Sequence, residues 1–155
     1  PVASAHVDYT HSSGMKRAQD ILRDERKDDL INRNLSLINV WRPIKGPVED
    51  MPLGVCAGGT VNNEDLVETK IRHFSEDNSS EANHTGSIYS LRYNNKHKWF
   101  YVSSMMPHEV LILKNWHSPG CEGVFNSPHT GFNNPVTPSR YVARESIEVR
   151  TLVIF

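Results

Sequence analysis

Short segments rich in β-branched and aromatic residues recur along this sequence, separated by turn-forming residues, and they constrain the fold more than any other feature. The strand candidates are 35–41, 69–74, 87–93, 98–103, 110–115 and 144–155, with a loop rich in Pro and Gly predicted over 43–63 and a hairpin turn predicted at Asn94-Asn95. Their short spacing suits antiparallel neighbours, because parallel strands need long crossover connections. A polar helical pattern is predicted over 13–31, with Ser12 or Ser13 as N-cap. These patterns predict a mainly β barrel or sandwich with one or two helices.

Length and charge narrow the possible partners. The 155 residues suffice for one domain, 1–155, and 17 Lys and Arg against 18 Asp and Glu give a net charge of -1. We therefore expect no binding to nucleic acid or an anionic membrane, since both require clustered positive charge. Apolar stretches are far shorter than the roughly 20 residues that span a bilayer. Two cysteines, Cys56 and Cys121, are too few for a disulfide scaffold, so we expect a cytoplasmic location.

A first pair of candidate metal ligands lies near the start of the chain, in His6-Val7-Asp8. Alternate residues of a strand share a face, so these two side chains can converge on one cation. One further imidazole would complete the two-histidine, one-carboxylate arrangement that holds Fe(II). The triplet alone is weak, because a chain with 8 His and 18 Asp and Glu is expected to contain about one by chance. The alternative is a solvated histidine beside a surface carboxylate.

Two later motifs fit the same chemistry. His129, followed closely by Gly131, is the candidate second imidazole, although it can also be a plain loop residue. Arg144 and Ser146 share a strand face and can grip one carboxylate together, with Arg140 and Arg150 as alternative anchors. The order H-x-D, distant His, then R-x-S is the order expected for an Fe(II)/2-oxoglutarate oxygenase on a double-stranded β-helix, a jelly-roll or cupin-like barrel.

The chain also resembles the AsaB/CmcJ-like hydroxylase/desaturase family, found largely in fungal secondary metabolism. The resemblance runs through nearly the whole chain, in the segments His6-Val7-Asp8-Tyr9-Thr10, Asn39-Val40-Trp41-Arg42-Pro43, Pro52-Leu53, Val55-Cys56, Trp99-Phe100-Tyr101, Met106, Glu109-Val110-Leu111, Pro128-His129-Thr130-Gly131-Phe132 and Arg144-Glu145-Ser146-Ile147-Glu148-Val149-Arg150.

This resemblance implies a non-haem oxygenase that hydroxylates or desaturates a small secondary metabolite with dioxygen. It implies that Fe(II) is bound by His6, Asp8 and His129, and that Arg144 with Ser146 holds the distal carboxylate of the cosubstrate 2-oxoglutarate. Asn39 and Trp41, on one face of their strand, are candidates for lining the substrate pocket. The alternative for the tryptophan is a core position, because aromatic residues on strands are usually buried.

Departures from the family leave alternatives open. Ala57-Gly58-Gly59 and the segment 115–118 differ from the family pattern, and His108, Glu109 and His117 could form a different metal site. Family members carry an N-terminal portion before H-x-D, so we expect a barrel that is incomplete at its N-terminus. That portion can be missing from a fragment, or be supplied by a complementing segment or a homodimer. The remaining alternatives are a non-catalytic relative and a metal-binding β-barrel independent of 2-oxoglutarate.

Overall fold

The structure is a computed structural model that describes residues 2–74 and 82–155, with side chains described for 2–71 and 86–155. Within these residues one α-helix, α1 (His11–Asp24), and three short 3-10 turns accompany the strands. The strands are β1 (His6–Val7), β2 (Leu35–Pro43), β3 (Leu53–Cys56), β4 (Leu66–Phe74), β5 (Ala82–Leu91), β6 (Trp99–Phe100), β7 (Leu111–His117), β8 (His129–Gly131) and β9 (Ser146–Ile154).

The strands form two antiparallel sheets. The larger sheet has the order β4-β5-β1-β8-β3-β6, and the smaller one has the order β7-β2-β9. Neighbouring strands in space are mostly distant in sequence, as β1 and β8 are, which is the topology of a jelly roll rather than of a simple meander. The prediction of a mainly β, double-stranded β-helix fold is confirmed.

Helix α1 packs one face of small and apolar residues against the smaller sheet. Gly14, Ala18 and Leu22 are its buried residues, spaced four apart, as expected for one helix face. The N-cap is Thr10, whose hydroxyl accepts from the backbone N–H of Ser13. The prediction of Ser12 or Ser13 as N-cap was therefore two or three residues late.

Two clusters of buried side chains fill the interior. The helix-side cluster contains Tyr9, Ala18, Leu22, Leu35, Leu37 and Trp116. The strand-side cluster contains Trp41, Val48, Leu53, Met105 and Leu113. Both clusters draw on the inward faces of β2 and β7, so these paired strands form the common wall of the core.

The structure corrects two local predictions. Asn94 and Asn95 do not join a hairpin between 87–93 and 98–103, since β5 pairs with β4 and β6 pairs with β3. The amide of Asn94 instead donates to the Asp65 carboxylate, which fixes that loop to the turn before β4. The region 43–63, predicted as loop, contains β3, which pairs with both β6 and β8.

Strand β9 lies at one edge of the smaller sheet, where its only described partner is β2. The outward face of that sheet carries exposed apolar side chains on β7 and β9, with the half-buried Val40 of β2 between them. Val149 on β9 lies beside Val40 on β2, which in turn lies beside Ile112 on β7. Ile112 is 68% exposed and Val149 is 53% exposed.

Candidate metal centre

Strand pairing brings the two candidate histidines together. His6 on β1 lies directly opposite His129 on β8 in the antiparallel register. Directly paired residues point to the same face with their Cβ atoms about 5 Å apart. The two imidazole rings accordingly have centroids 4.7 Å apart, inclined at 56°.

Asp8 follows β1 and joins this pair. Its Oδ1 lies 3.6 Å from Nε2 of His6. The ligand atoms that His6, Asp8 and His129 offer lie within 4.8 Å of one another, so small side-chain rotations bring them to the separation of roughly 3 Å that bonds of about 2 Å to one cation require. The structure therefore groups the three residues that the sequence singled out.

Backbone carbonyls determine which imidazole nitrogens remain free. Nδ1 of His6 donates to the Ser4 carbonyl at 2.7 Å, and Nδ1 of His129 donates to the Ser127 carbonyl at 2.9 Å. A neutral ring then carries its proton on Nδ1 and can bind a metal ion through Nε2, whereas a proton on Nε2 of His6 pairs with Asp8 when no metal is bound. Such an outward hydrogen bond from the second nitrogen is the usual support of a metal-binding histidine.

The Asp8 carboxylate is oriented from behind. The Nδ2 amide of Asn39 donates to Oδ2 at 2.7 Å, which leaves Oδ1 facing the histidines. Burial opposes ionisation of Asp8, but the hydrogen bond with His6 and the charges of His129 and Arg150 outweigh it and lower its pKa to about 2. The same hydrogen bond raises the pKa of His6, against the effect of its burial. Asp8 is therefore a carboxylate over the whole neutral range.

Arg150 completes the polar surroundings of Asp8. It lies opposite Asn39 in the register of β9 and β2, and its Nη2 is 3.5 Å from Oδ1 of Asp8. Its Nε donates to Glu148 at 3.1 Å, and its guanidinium carbon lies 6.0 Å from the centre of the Tyr9 ring. Sequence reasoning placed Arg150 on the same face as Arg144 but did not indicate this contact.

Arg144 lies at a separate part of the interior wall, just before β9. Its guanidinium carbon stacks 5.2 Å from the centre of the Trp41 ring, and its Nη1 donates to the Met51 carbonyl. Its Nε is buried without a hydrogen-bond partner among the described residues. Burial lowers the pKa of Arg144, with Asp50 opposing that shift.

The remaining predicted positions divide between the interior and the surface. Ser146 opens β9 opposite Pro43 and is half-buried. Arg140 is exposed before that strand. Asn39 and Trp41 are both buried, yet neither lines the cavity beside the histidines: one holds Asp8, and the other packs in the strand-side cluster under Arg144.

The rival metal site receives no support from the described residues. Within them, the three residues of the centre form the only group of at least three potential ligands close enough to share an ion. Glu109 caps the backbone N–H of Met106, and His117 packs edge-on against Phe125. His108 is exposed.

A cavity of about 730 Å³ opens directly beside the centre. One part of its wall is formed by His6, Asp8 and Arg150. Another part is formed by Lys16 of α1 with Ser87 and Ile88 of β5. This volume falls in the range of small-molecule sites. Its lining is mixed, with apolar side chains beside hydroxyl and charged groups.

An antiparallel double-sheet fold with two histidines and an aspartate converging inside it defines the class: a cupin-like protein with an internal candidate metal site. The chain belongs to the family described as oxidoreductase/YMDC permease-like domain, whose model matches residues 1–154. No described helix has the length and apolar character needed to cross a membrane.

Individual relatives agree with this assignment. The chain is 33% identical to the hydroxylase/desaturase asaB of Aspergillus flavus, over 98% of this chain and 68% of that protein. It is 30% identical to aspirochlorine biosynthesis protein N of Aspergillus oryzae, over 100% of this chain and 63% of that protein. The resemblance to the AsaB/CmcJ-like family is thereby confirmed.

A solved structure shows the same fold. The iron and alpha-ketoglutarate-dependent endoperoxidase NvfI superposes with a TM-score of 0.83 at 30% identity, over 99% of this chain and 54% of that one. Its curated counterpart, from Aspergillus novofumigatus, is named an Fe(II)/2-oxoglutarate-dependent dioxygenase. All of these relatives are longer than this chain, which spans between 52% and 68% of their lengths.

Proposed function

We propose that this chain carries the catalytic centre of a non-haem Fe(II)/2-oxoglutarate-dependent oxygenase that hydroxylates or desaturates a small secondary metabolite. The observation that carries the proposal is the convergence of His6, Asp8 and His129 inside the barrel. The names of the relatives support the same class of reaction.

The donor set fits Fe(II). Two imidazole nitrogens and one carboxylate oxygen on one side of an ion are the ligands of non-haem Fe(II) oxygenases, and they leave positions open for cosubstrate and dioxygen. The outward hydrogen bonds of both histidines fix their free nitrogens, and Asn39 fixes Asp8. In this proposal His6, Asp8 and His129 bind the iron, and Asn39 is a positioning residue rather than a substrate contact.

Arg144 fits the distal carboxylate of 2-oxoglutarate. A half-buried guanidinium with an unpartnered Nε is unfavourable unless an anion binds it. The Trp41 ring and the Met51 carbonyl hold the guanidinium plane in place. We propose that Arg144 binds this carboxylate, with Ser146 contributing its hydroxyl from the start of β9.

The bound cofactors and the chain's own residues have different roles in this proposal. Bound Fe(II) and 2-oxoglutarate supply the activation of dioxygen that removes hydrogen from an unactivated C–H bond. The chain's own residues hold the ligands in one orientation and provide a partly apolar cavity in which the substrate lies beside the centre.

The test measures succinate formed from 2-oxoglutarate in the presence of Fe(II) and dioxygen. We expect His129→Ala to abolish succinate formation and Arg144→Ala to raise the concentration of 2-oxoglutarate required. His108→Ala changes an exposed histidine outside the centre and is expected to behave as the wild type. Full turnover in His129→Ala would remove the iron-ligand role of that residue. Metal binding without any response to 2-oxoglutarate would favour the alternative, a barrel independent of the cosubstrate.

Further polypeptide on the outward face of the smaller sheet is a second part of the proposal. Its exposed apolar side chains, including Ile112 and Val149, are typical of a surface that is covered. Either a complementing N-terminal segment or a second copy of the chain fits it. Sedimentation analysis tests the second copy: a dimer that Val149→Lys dissociates indicates it, and a monomer excludes it.

We propose a cytoplasmic location, since the two cysteines are both free.

A further inference from the structure

We propose that Arg150 binds the carboxylate at the metal-chelating end of 2-oxoglutarate, so that two different arginines hold the two ends of the cosubstrate. Arg144 remains the anchor of the far carboxylate. This inference rests on the proposed function and assigns a role to a residue that the proposed chemistry leaves unused.

Arg150 faces the Oδ1 oxygen of Asp8 rather than Oδ2. Asn39 occupies Oδ2, whereas Oδ1 lies 3.6 Å from Nε2 of His6 and 3.5 Å from Nη2 of Arg150. The guanidinium therefore approaches the oxygen that faces the histidines. Because a bond from a divalent metal to a carboxylate oxygen is about 2 Å long, a metal on Oδ1 lies within about 6 Å of that guanidinium.

The charges around this site favour an additional anion. An arginine stays protonated, so a metal ion bound at this centre lies close to a second fixed cation. Asp8 and Glu148 supply two negative charges against the three positive charges of Fe(II) and Arg150, so one positive charge stays uncompensated in this partly buried site. An additional anion between the metal and the arginine removes this repulsion. The 1-carboxylate of a metal-chelating 2-oxo acid is such an anion, and the guanidinium fork matches carboxylate geometry.

Arg150 is accessible to a ligand and is held in one orientation. Arg150 lines the same cavity as His6 and Asp8, and its side chain is 53% exposed. The bond from Nε to Glu148 fixes the guanidinium plane and leaves Nη1 for a ligand, while Nη2 faces Asp8. A ligand entering the cavity therefore meets Arg150 without any rearrangement of the core.

The two carboxylates of the cosubstrate need different arginines, because Arg150 and Arg144 lie at different levels along β2. Arg150 lies opposite Asn39 on β2, at the level of Asp8. Arg144 is six residues earlier and stacks on Trp41, two residues further along β2 from Asn39. These contacts place the two guanidiniums at different levels along β2.

The experiment compares two probes in anaerobic calorimetric titrations of the Fe(II)-loaded protein. One probe is 2-oxoglutarate, and the other is 2-oxovalerate, which keeps the keto-acid end and carries a methyl group in place of the distal carboxylate. We expect Arg150→Gln to weaken binding of both probes about tenfold or more, because a charged hydrogen bond is lost. Arg144→Gln is expected to weaken 2-oxoglutarate by a similar factor and to leave 2-oxovalerate unchanged. Arg140→Gln, at an exposed arginine, serves as the control.

A second readout separates binding of the cosubstrate from support of Asp8. Arg150→Gln is expected to bind Fe(II) alone at least as tightly as the wild type, since it removes a like charge, and Arg150→Lys is expected to recover part of the lost 2-oxovalerate affinity. Loss of Fe(II) affinity in Arg150→Gln equal to the loss of probe affinity would assign a structural role and overturn the inference. Weakening of 2-oxoglutarate alone would make Arg150 the distal anchor, which also overturns it. A wild type that binds Fe(II) but neither probe would instead refute the proposed function itself.

Discussion

Asn39 determines which oxygen of Asp8 faces the histidines. Its amide donates to Oδ2 from a fully buried position on β2. Side chains that orient metal ligands in this way commonly change metal affinity 10- to 100-fold when they are replaced. The two clusters of apolar side chains flank this position, because Leu37 and Trp41 precede and follow Asn39 on the same strand face.

We predict that Asn39→Leu, which keeps the volume and removes the amide, weakens Fe(II) binding about 10- to 100-fold. Anaerobic titration with Fe(II) measures the effect. Asn133→Leu, at an exposed position, provides the matched control. Unchanged Fe(II) affinity in a folded Asn39→Leu protein would show that Asp8 needs no such support.

The lowered pKa of Asp8 gives a second prediction, for the metal-free protein. A carboxyl group whose pKa falls from 3.8 to about 2 on folding stabilises the folded state above pH 4 and loses that contribution as the pH falls towards 2. The contribution amounts to about 2 kcal/mol. Urea unfolding between pH 5 and 2 is expected to show this loss in the wild type and a shallower dependence in Asp8→Asn. Identical slopes in the two proteins would contradict the ion-pair account of Asp8.

At the scale of single residues, the sequence identified a site that the structure then assembles. The spacing of His6 and Asp8 follows directly from strand geometry, but the partnership with His129 depends on the register between β1 and β8. No local pattern encodes that register. The contacts of Asn39 and Arg150 with Asp8 were missed for the same reason. Asn39 and Arg150 lie on strands of the smaller sheet, whereas Asp8 follows β1 of the larger sheet.

Helix α1 docks onto β7 through a contact that leaves no room for a side chain. A Cβ on Gly14 would lie 2.4 Å from the indole of Trp116, whose Nε1 donates to the carbonyl of His11. Trp116 is buried because β7 contains a bulge: Leu37 pairs with Trp116 whereas Ile38 pairs with Lys114. The extra residue, Asn115, allows two successive side chains to be buried.

We predict that Gly14→Ala destabilises the protein by about 1 to 2 kcal/mol. The overlap with the rigid, buried indole of Trp116 puts the overpacking cost at about 2 to 3 kcal/mol, the upper part of the usual range, whereas replacing glycine in a helix gains about 1 kcal/mol. Chemical denaturation measures the change. Gly59→Ala, where the added Cβ meets nothing within 4 Å, is the control. A Gly14→Ala protein as stable as this control would show that the helix can shift without loss.

Element boundaries show where local sequence signals stop. The helix was predicted to run to residue 31, whereas α1 ends at Asp24. The chain leaves the helix through Arg26, which has a φ of 56°. Glycine is the usual residue in that conformation, and its absence removed the expected stop signal. Strand β3 was missed because its four residues include Gly54 and stand among prolines and glycines, so tertiary pairing alone defines it.

At the scale of the molecule, a polar layer separates the two apolar clusters at the level of the metal centre. Asn39 and Asn115 lie in it from the wall formed by β2 and β7, and both are fully buried. Short strand segments at short spacing predicted an antiparallel barrel or sandwich. This pattern could not predict which inward positions meet, because that depends on pairings between residues more than 100 positions apart, such as Asn39 with Arg150.

The central claim is that three side chains from two strands form one Fe(II) and 2-oxoglutarate centre. The most direct measurement is the visible absorption of the protein on anaerobic addition of Fe(II) followed by 2-oxoglutarate. We predict a weak charge-transfer band that appears only with both additions and is absent from His129→Ala, while His108→Ala retains it. No band in the wild type, or an undiminished band in His129→Ala, would contradict the account.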